Sequence, residues 1–570
     1  MSHYALQDVL PATNYLVHDL ALDGLNASVD GRLHSARPFA WSCFNGGADC
    51  PVVQVRTETA HPSAILANDC CFHQAQYTNE TFRAAAFAGY INTQWETCQA
   101  TGAQCLLDFA NATSLEPALG GAQSCGQGSV SEFYIDVATW MDVAHAFGFS
   151  RQMGMPLAVK NTGHDYNGRS SAPGSLAIWM HHLKNITYEP NFVPQGCPST
   201  QASQMGVTLG AGVQWAEAYA FADAHNITLV GGSDRSVGVV GGWTQGGGHS
   251  VLSNTMGLGA DRVLEYQVVT PDGRLRTVNQ CQHEDLFFAL RGGGGGTFAV
   301  VMSATILASP PVTLQTLILT WPESDRTLTR EIWALMVDNA LHLASDGWGG
   351  FATANTVILV NPALDAAAAT RSLAPLIHFE RTGTQRTVTA FPTFYSFFES
   401  FTTAHVAIVG QQLALASRLV PTSAFASAAS RSALLAALVA TDDAAPGTIV
   451  LLAPPFNVPG SGTSATPLWR DSVYHVTAVA GWAWNATREE KRAAYDRVGR
   501  AMDRIRAVTP GGGAYLNEAD VYEPDHEVSF WGGHYPELLR IKEKYDPDRL
   551  LDCWHCVGSD PESDRFSCYL

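Results

Sequence analysis

Two glycine-rich stretches constrain the fold of this chain more than any other feature of its 570 residues. KNTGHDYNGRS (160–170) sets His164 beside a glycine in a tight turn, and GGSDRSVGVVGGWTQGGGHS (231–250) offers bare backbone along much of its length. Glycine lets backbone N–H groups converge on an anion without obstruction by side chains. Two such loops could hold a diphosphate and pack flat against a ring system; the alternative is that these glycines serve only as turns.

Other motifs that bind nucleotides or support hydrolysis are missing from the sequence. There is no Walker A motif and no strict G-x-G-x-x-G. A relaxed G-x-G-x-x-A runs from Gly294 to Ala299, but it precedes the β-branched segment FAVVMSATI, whereas a dinucleotide motif must open a helix. We therefore predict that this stretch is not a dinucleotide-binding motif. A G-x-S-x-G elbow is also absent, which disfavours an α/β-hydrolase.

The cysteine content indicates a secreted, disulfide-linked chain, because an even number of cysteines is typical of that class. The twelve are Cys43, Cys50, Cys70, Cys71, Cys98, Cys105, Cys125, Cys197, Cys281, Cys553, Cys556 and Cys568. Six N-x-[ST] sequons predict N-glycans, at Asn26, Asn79, Asn111, Asn185, Asn226 and Asn485. A cytosolic protein with scattered buried thiols is the alternative. The opening MSHYALQDVLPATN lacks the basic and apolar regions of a signal peptide, so the route of export stays open.

No metal site is expected from the cysteine and histidine pairs. Cys553 and Cys556 have no second C-x-x-C and no H-E-x-x-H to complete a zinc site, so a structural disulfide is preferred over a redox pair. His181 and His182 are neighbours on a predicted strand, where adjacent side chains point to opposite faces.

Charge and hydropathy argue against nucleic acid and membrane as partners. The net charge is −19, and a long-range negative field repels phosphate backbones and anionic lipid. The apolar runs all fall well short of 18 residues, so we predict no membrane span.

Five motifs, in a fixed order along the chain, carry a resemblance to one enzyme family. They are AVKNTGHDYNGRS (158–170), LVGGSDRSVGVVGGWTQGGGHS (229–250), NTMGLGADRVLEYQVVTPDGRL (254–275), DLFFALRGGGGGTFAVV (285–301) and AYLNEAD…FWGGHYPELLRIKEKYDPDRLL (514–551). In these motifs the chain resembles the flavin oxidases of the vanillyl-alcohol oxidase and p-cresol methylhydroxylase (PCMH) superfamily, in the berberine-bridge-enzyme-like branch. It is similar to fungal secreted proteins of the isoamyl alcohol oxidase type.

The resemblance implies an α+β fold in four parts. A cysteine-rich N-terminal extension (1–125) would contribute to a two-subdomain PCMH-type FAD-binding domain (126–310). An α/β substrate domain, with an antiparallel sheet covered by helices, would occupy 311–505. A berberine-bridge-like C-terminal segment (506–570) would return to the flavin.

FAD with a single covalent link is the cofactor that the resemblance implies. His164 stands at the family's position for attachment to the flavin 8α-methyl group. Asp234 stands where many members carry a second, flavin-linking cysteine, and no cysteine lies between Cys197 and Cys281. Val237 falls near the position that controls access of oxygen, where a small side chain permits oxidase activity. The other residues expected to bind FAD are Asn161, Thr162, Gly163, Asp165, Gly168, Arg169, Ser170, Gly231, Gly232, Ser233, Ser236, Gly241, Gly242, Gly246, Gly247, His249 and Asn517.

Three residues are the catalytic candidates that the resemblance implies. Tyr166 matches a family tyrosine that orients a substrate hydroxyl or helps deprotonate it; a packing role is the alternative. Asn517 matches the asparagine of an A-Y-x-N-Y element beside the flavin. Glu518 replaces the second tyrosine of that element, so it is a candidate acid or base, or else a solvated loop residue. Asp520 is a weaker candidate, and the base that members carry on the substrate-domain sheet has no identifiable match in 311–505.

The leading functional interpretation is a secreted, extracellular FAD-dependent oxidase of CH–OH groups. Hydride would pass from an alcohol or carbohydrate carbon to flavin N5 while a base takes the hydroxyl proton, and O2 would reoxidise the flavin to give hydrogen peroxide. A flavin dehydrogenase or oxidative cyclase of secondary metabolism is one alternative, and a non-catalytic secreted flavoprotein is another. We expect a monomer whose partners are a small-molecule substrate, O2 and N-glycans.

Overall fold

The computed structural model describes residues 12–44, 70–121, 124–404, 409–460 and 462–570, with backbone only for 12–19, 71, 403 and 404. The strands are β1 (Leu33–Ser35), β2 (Phe133–Asp136), β3 (Leu157–Lys160), β4 (Leu176–Trp179), β5 (Ile186–Phe192), β6 (Gln204–Gly210), β7 (Val263–Val269), β8 (Leu275–Asn279), β9 (Val300–Leu307), β10 (Leu314–Thr320), β11 (Gly349–Ala352), β12 (Thr356–Asn361), β13 (Gln385–Phe391), β14 (Gln412–Pro421), β15 (Ile449–Leu452) and β16 (Ser472–Trp482). The helices are α1 (Ala12–Ser28), α2 (Trp41–Phe44), α3 (Cys70–Gln76), α4 (Glu80–Ala85), α5 (Glu116–Leu119), α6 (Trp140–Met153), α7 (Trp215–Ala224), α8 (Ser253–Met256), α9 (Glu284–Leu290), α10 (Arg326–Ser345), α11 (Ala366–Ser372), α12 (Ala374–Ile377), α13 (Phe394–Ala404), α14 (Ala428–Ala444), α15 (Arg488–Val508), α16 (His526–Trp531) and α17 (Tyr535–Tyr545).

A four-stranded sheet in the order β1-β2-β4-β3 positions the first glycine-rich stretch. β2, β4 and β3 run parallel, and β1, from the N-terminal extension, pairs antiparallel with β2. β3 is an edge strand and ends at Lys160, so the chain enters the 161–170 turn directly from the carboxyl end of the parallel strands. Ligands of open α/β sheets bind at that edge.

A five-stranded antiparallel sheet, in the order β5-β6-β9-β7-β8, carries the second glycine-rich stretch between β6 and β7. Its β7–β8 hairpin confirms the predicted P-D-G turn. The N–H of Gly273 donates to the carbonyl of Thr270 at 2.8 Å. Gly273 has a φ of +78°, in the left-handed region that favours glycine.

A seven-stranded antiparallel sheet, in the order β13-β10-β12-β11-β15-β16-β14, is built entirely within 311–505. Helix α14 packs against both α10 and α15, and α10 and α15 pack against this sheet. α15 begins with a capping box between Thr487 and Glu490 and buries a stripe that includes Val498 and Ile505. Each such apolar side chain stabilises the fold by about 1.5–3 kcal/mol when fully buried. The expected α+β fold, with an antiparallel sheet covered by helices, is confirmed.

The described residues contain five disulfides, one of which joins the two ends of the chain. The bonded pairs are Cys43–Cys70, Cys98–Cys568, Cys105–Cys125, Cys197–Cys281 and Cys553–Cys556. The last pair confirms the prediction of a disulfide at the C-x-x-C motif. Cys98–Cys568 spans 470 residues and ties the N-terminal extension to the C-terminal tail. Cys50 and the side chain of Cys71 lie outside the described residues.

The predicted glycosylation sites are accessible. Asn79, Asn111, Asn185, Asn226 and Asn485 are exposed, and Asn26 is half-buried. Across the helices within the described ranges, none combines the length and the apolar character needed to cross a membrane.

Candidate active site

A large cavity lies where the two smaller sheets, the C-terminal segment and the seven-stranded sheet meet. Its wall includes the turn after β3, the stretch around 231–242 and the turn before β9. Tyr515, Asn517 and Glu518 of the C-terminal segment close it on one side, and Phe351 and Leu451 of the seven-stranded sheet close it on another.

The turn after β3 is held by one carboxylate and one required glycine. Asp165 accepts hydrogen bonds from the backbone N–H groups of Asn167, Gly168 and Ser170 at 2.9, 2.9 and 2.7 Å. Gly163 has a φ of +86°, and a Cβ there would lie 2.8 Å from the carbonyl oxygen of Gly89. These contacts fix the backbone on both sides of His164.

His164 faces a small polar cluster through its Nε2 atom. This nitrogen lies 2.6 Å from Ser236 Oγ and 3.4 Å from Asp234 Oδ1. Burial lowers the pKa of His164, although the charge of Asp234 opposes the shift. The imidazole is therefore neutral at neutral pH, and a neutral ring has the lone pair that a covalent attachment requires.

Glu80, the first residue of α4, joins this cluster from the N-terminal extension. Its Oε2 atom lies 3.3 Å from Ser236 Oγ. Burial and the neighbouring charge of Asp234 raise the pKa of Glu80 to about 7. No cofactor-binding or catalytic motif identifies this residue, which lies 156 positions from Ser236.

Most residues expected to bind FAD line this cavity. They are Asn161, Thr162, Gly163, His164, Asp165, Arg169, Ser170, Gly231, Gly232, Ser233, Asp234, Val237, Gly241, Gly242, His249 and Asn517. Gly168, Ser236, Gly246 and Gly247 lie behind the wall instead. A Cβ at Gly168 would lie 2.5 Å from the Trp95 ring, and one at Gly246 would overlap the Asn517 amide, so these two glycines allow close packing.

The turn before β9, which the sequence predicts not to be a dinucleotide motif, lines the cavity. It does open a strand rather than a helix, as predicted. Gly295 and Gly296 nevertheless belong to the wall, as does Ala299. A Cβ at Gly295 would lie 3.0 Å from the Cα of Gly242, so two backbones meet closely there. The run of five glycines was the signal that could have identified this turn.

Asn517 and Glu518 are brought to the cavity by the C-terminal segment. Asn517 Nδ2 donates to the Gly242 carbonyl and lies within hydrogen-bond distance of the Tyr515 hydroxyl, both at 2.8 Å. Glu518 Oε1 lies 3.1 Å from His249 Nε2. Burial acts to raise the pKa of Glu518, but the charge and hydrogen bond of His249 outweigh it and hold this pKa below its usual value. Glu518 is thus a carboxylate at neutral pH.

Tyr166 lines the same cavity but, unlike Glu518, keeps its proton at neutral pH. Burial, together with the charges of Glu518 and Asp234, raises the pKa of the Tyr166 phenol well above its usual value. It can therefore donate a hydrogen bond, but it cannot act as a base near neutral pH.

Asp520 does not line the cavity; its carboxylate accepts from the backbone N–H of Tyr522 at 2.9 Å.

His475 on β16 completes a polar group with His249 and Glu518. Its Nδ1 lies 3.7 Å from Glu518 Oε2, and neither ring nitrogen has a hydrogen-bond partner among the described residues. Burial lowers the pKa of His475 to about 3, so this ring is neutral. The three ligand atoms lie within 4.8 Å of one another. Tetrahedral zinc needs ligand atoms about 3.4 Å apart, so we interpret the more open trio as a hydrogen-bonded pair of His249 and Glu518 with the neutral His475 ring beside it.

Comparison with known proteins agrees with this site. A family model described as "FAD binding domain" matches residues 131–279, and one described as "Berberine and berberine like" matches 514–553. The FAD-linked oxidoreductase ffsJ of Aspergillus flavipes is 36% identical over 98% of this chain and 95% of its own length. The chain belongs to the FAD-linked oxidoreductases of the vanillyl-alcohol oxidase and berberine-bridge-enzyme-like family.

Solved structures in this family share the fold. The VAO-type flavoprotein MtVAO615 from Myceliophthora thermophila superposes with a TM-score of 0.77 and 27% identity, covering 95% of each chain. A glucooligosaccharide oxidase from Acremonium strictum gives a TM-score of 0.61 at 20% identity, covering 75% of this chain and 92% of that one. The cavity also fits FAD by its own geometry, because Gly241, Gly242, Gly295 and Gly296 leave bare backbone along its wall, with no side chain to obstruct a flat ring system.

Proposed function

We propose that this flavoprotein is an oxidase of CH–OH groups in which Glu518 takes the proton of the substrate hydroxyl. The observation that carries the proposal is the position of Glu518 in the cavity wall, with its Oε1 atom 3.1 Å from His249 Nε2. Asp165 and Asp234 also line the cavity, but Asp165 is engaged by three backbone N–H groups and Asp234 faces His164. No acidic side chain of 311–505 lines the cavity within the described residues, which supports a base from the C-terminal segment rather than from the substrate-domain sheet.

Glu518 and Tyr166 have different roles at the substrate hydroxyl. When bound, FAD would accept the hydride that leaves the carbinol carbon and return the electrons to O2, which gives hydrogen peroxide. Glu518 accepts the hydroxyl proton as that hydride leaves. Tyr166 stays protonated and donates a hydrogen bond to the substrate oxygen. The hydrogen bond from His249 holds Glu518 in place and keeps it ionised.

A single covalent link through His164 is part of this proposal. Its support is the neutral imidazole at the cavity wall and the presence of Asp234, not cysteine, on the facing loop. The glucooligosaccharide oxidase is described as carrying both a 6-S-cysteinyl and an 8α-N1-histidyl link. Acid precipitation should leave flavin on the wild-type chain and release it from His164→Ala. Flavin that stays attached to His164→Ala would show that another residue carries the link.

Use of O2 and secretion are further parts of the proposal. Val237, a small side chain, lines the cavity near the expected flavin position and supports access of oxygen. The disulfides and the exposed sequons support export through an oxidising compartment.

Anaerobic mixing of the holoenzyme with an alcohol tests the assignment of Glu518. In Glu518→Gln, which keeps the shape and loses the base, we expect the rate of flavin bleaching to fall by about 10²–10⁴. Asp520→Asn is the matched control, since Asp520 lies outside the cavity wall and should keep the wild-type rate. Bleaching of Glu518→Gln at the wild-type rate would exclude Glu518 as the base.

The aerobic reaction then separates the competing functions. Stoichiometric hydrogen peroxide identifies an oxidase. Bleaching by substrate without peroxide in air would identify a dehydrogenase, and an absence of bleaching with any donor would identify a non-catalytic flavoprotein.

A further inference from the structure

A row of side chains crosses the seven-stranded sheet on the face that lines the cavity. Phe351 on β11 lies opposite Leu451 on β15, and Leu451 lies opposite His475 on β16. Directly opposed residues of antiparallel strands point to the same face. Phe351 and Leu451 belong to the cavity wall, and His475 lies 3.7 Å from Glu518, which also belongs to it. The row is therefore polar at its Glu518 end and apolar at its Phe351 end.

Helix α13 extends the apolar end of this row. Its residues 394, 397, 398 and 401 are phenylalanines, spaced so that they share one helix face, and all four line the cavity. The ring centroids of Phe351 and Phe401 are 5.8 Å apart, and those of Phe397 and Phe401 are 5.9 Å apart. We name Phe351 and these four residues the phenylalanine wall.

Contacts with the flavin-binding domain fix the phenylalanine wall relative to the proposed reaction site. The rings of Phe394 and Phe398 pack edge-on against Tyr219 of α7, with centroids 4.9 and 4.7 Å apart. On the same helix, Glu399 accepts from Arg235 of the second glycine-rich stretch at 3.3 Å. The wall therefore stands at a set distance from the base.

We infer that the substrate is an alcohol with an apolar body about 10 Å long, and that it is not a glycan. The length is two strand spacings, from His475 beside Glu518 to Phe351. Every side chain that 311–505 contributes to the cavity, within the described residues, is apolar. A glycan would lose hydrogen bonds between its hydroxyls and water without gaining partners along this wall. The inference rests on the proposed function and names its substrate class.

A panel of three alcohols tests the inference on the holoenzyme. 4-Biphenylmethanol reaches from Glu518 to the wall, benzyl alcohol reaches only part of the way, and cellotriose presents hydroxyls throughout. We expect kcat/KM for flavin reduction to be about 10- to 100-fold higher with 4-biphenylmethanol than with benzyl alcohol, because the second ring gains the apolar contact. Cellotriose should be the poorest of the three. A preference for cellotriose would overturn the inference and leave the proposed oxidase function standing.

Substitutions of Phe351 test the wall itself. Phe351→Gln should raise KM for 4-biphenylmethanol about 10-fold or more and leave kcat nearly unchanged, whereas Phe351→Leu should retain most of the affinity. Val388→Ala, at an exposed position of β13 outside the wall, is the control. Equal KM values for the Gln and Leu variants would overturn the inference.

A binding measurement separates this inference from the oxidase proposal. The change in flavin absorbance on titration with 4-biphenylmethanol gives a Kd that needs no turnover. If neither these three alcohols nor any other alcohol or sugar donor bleaches the flavin, the oxidase proposal fails. Weaker binding to Phe351→Gln than to Phe351→Leu would still support an apolar site, and equal binding would refute it.

Discussion

Gly246 offers the most direct perturbation of the contact between the second glycine-rich stretch and the C-terminal segment. A Cβ at this position would overlap the side-chain amide of Asn517, so Gly246→Ala must displace that amide. The displaced Asn517 would lose its hydrogen bonds to the Gly242 carbonyl and the Tyr515 hydroxyl, both of 2.8 Å. Each bond contributes about 0.5–1.5 kcal/mol, so the two together are worth about 1–3 kcal/mol.

The same displacement moves Glu518, the next residue along the chain. If the loss of these two hydrogen bonds raises the activation free energy by the same about 1–3 kcal/mol, kcat/KM should fall by about 5- to 150-fold. Anaerobic stopped-flow reduction, normalised to bound flavin, measures this loss. Gly148→Ala on α6 is the control, because a Cβ there meets no atom within 4 Å. Activity of Gly246→Ala within twofold of wild type would refute the idea that Asn517 positions Glu518.

Three further perturbations test separate parts of the structure. Because the pKa of Glu518 is depressed, its base form is present above that pKa, and kcat/KM should fall only as the pH drops through it. In His249→Gln, burial should dominate the pKa of Glu518 and move the acid side of the pH profile to higher pH. An acid side that does not move would contradict the pairing of His249 with Glu518. Glu96→Ala leaves the buried Arg83 without its 2.5 Å partner and should lower the free energy of unfolding by about 3–5 kcal/mol in a denaturant titration, whereas a loss below about 1 kcal/mol would contradict a buried pair. Gly163→Ala should reduce the fraction of chains that carry flavin, measured by absorbance, because its φ of +86° and the nearby Gly89 carbonyl oppose a side chain; wild-type flavin content would contradict this.

The parts of the site that the sequence predicts are those with local signals. The turn at Asp165 depends on hydrogen bonds within five residues, and the P-D-G hairpin is equally local. Glu518 is a candidate from the sequence because it replaces the second tyrosine of the family's A-Y-x-N-Y element. Its ionised state was not predictable, since His249 lies 269 residues away.

The remaining parts depend on tertiary packing that no local pattern encodes. Glu80 reaches Ser236 from a different region of the chain. His475 lies in a long buried strand and belongs to none of the sequence motifs. The phenylalanines of α13 show helical spacing, but the spacing alone does not say whether that face meets the core or a cavity. Gly295 and Gly296 were missed because the dinucleotide template asks for a helix, while here a strand follows.

In the proposed reaction, the carbinol hydrogen leaves as hydride to FAD while Glu518 takes the hydroxyl proton. Anaerobic reduction of the holoenzyme by 4-biphenylmethanol deuterated at the carbinol carbon tests it most directly. We expect a primary isotope effect on flavin bleaching in wild type, and bleaching slowed by orders of magnitude in Glu518→Gln. Equal rates for the two isotopologues in a chemistry-limited reaction, with Glu518→Gln as fast as wild type, would contradict it.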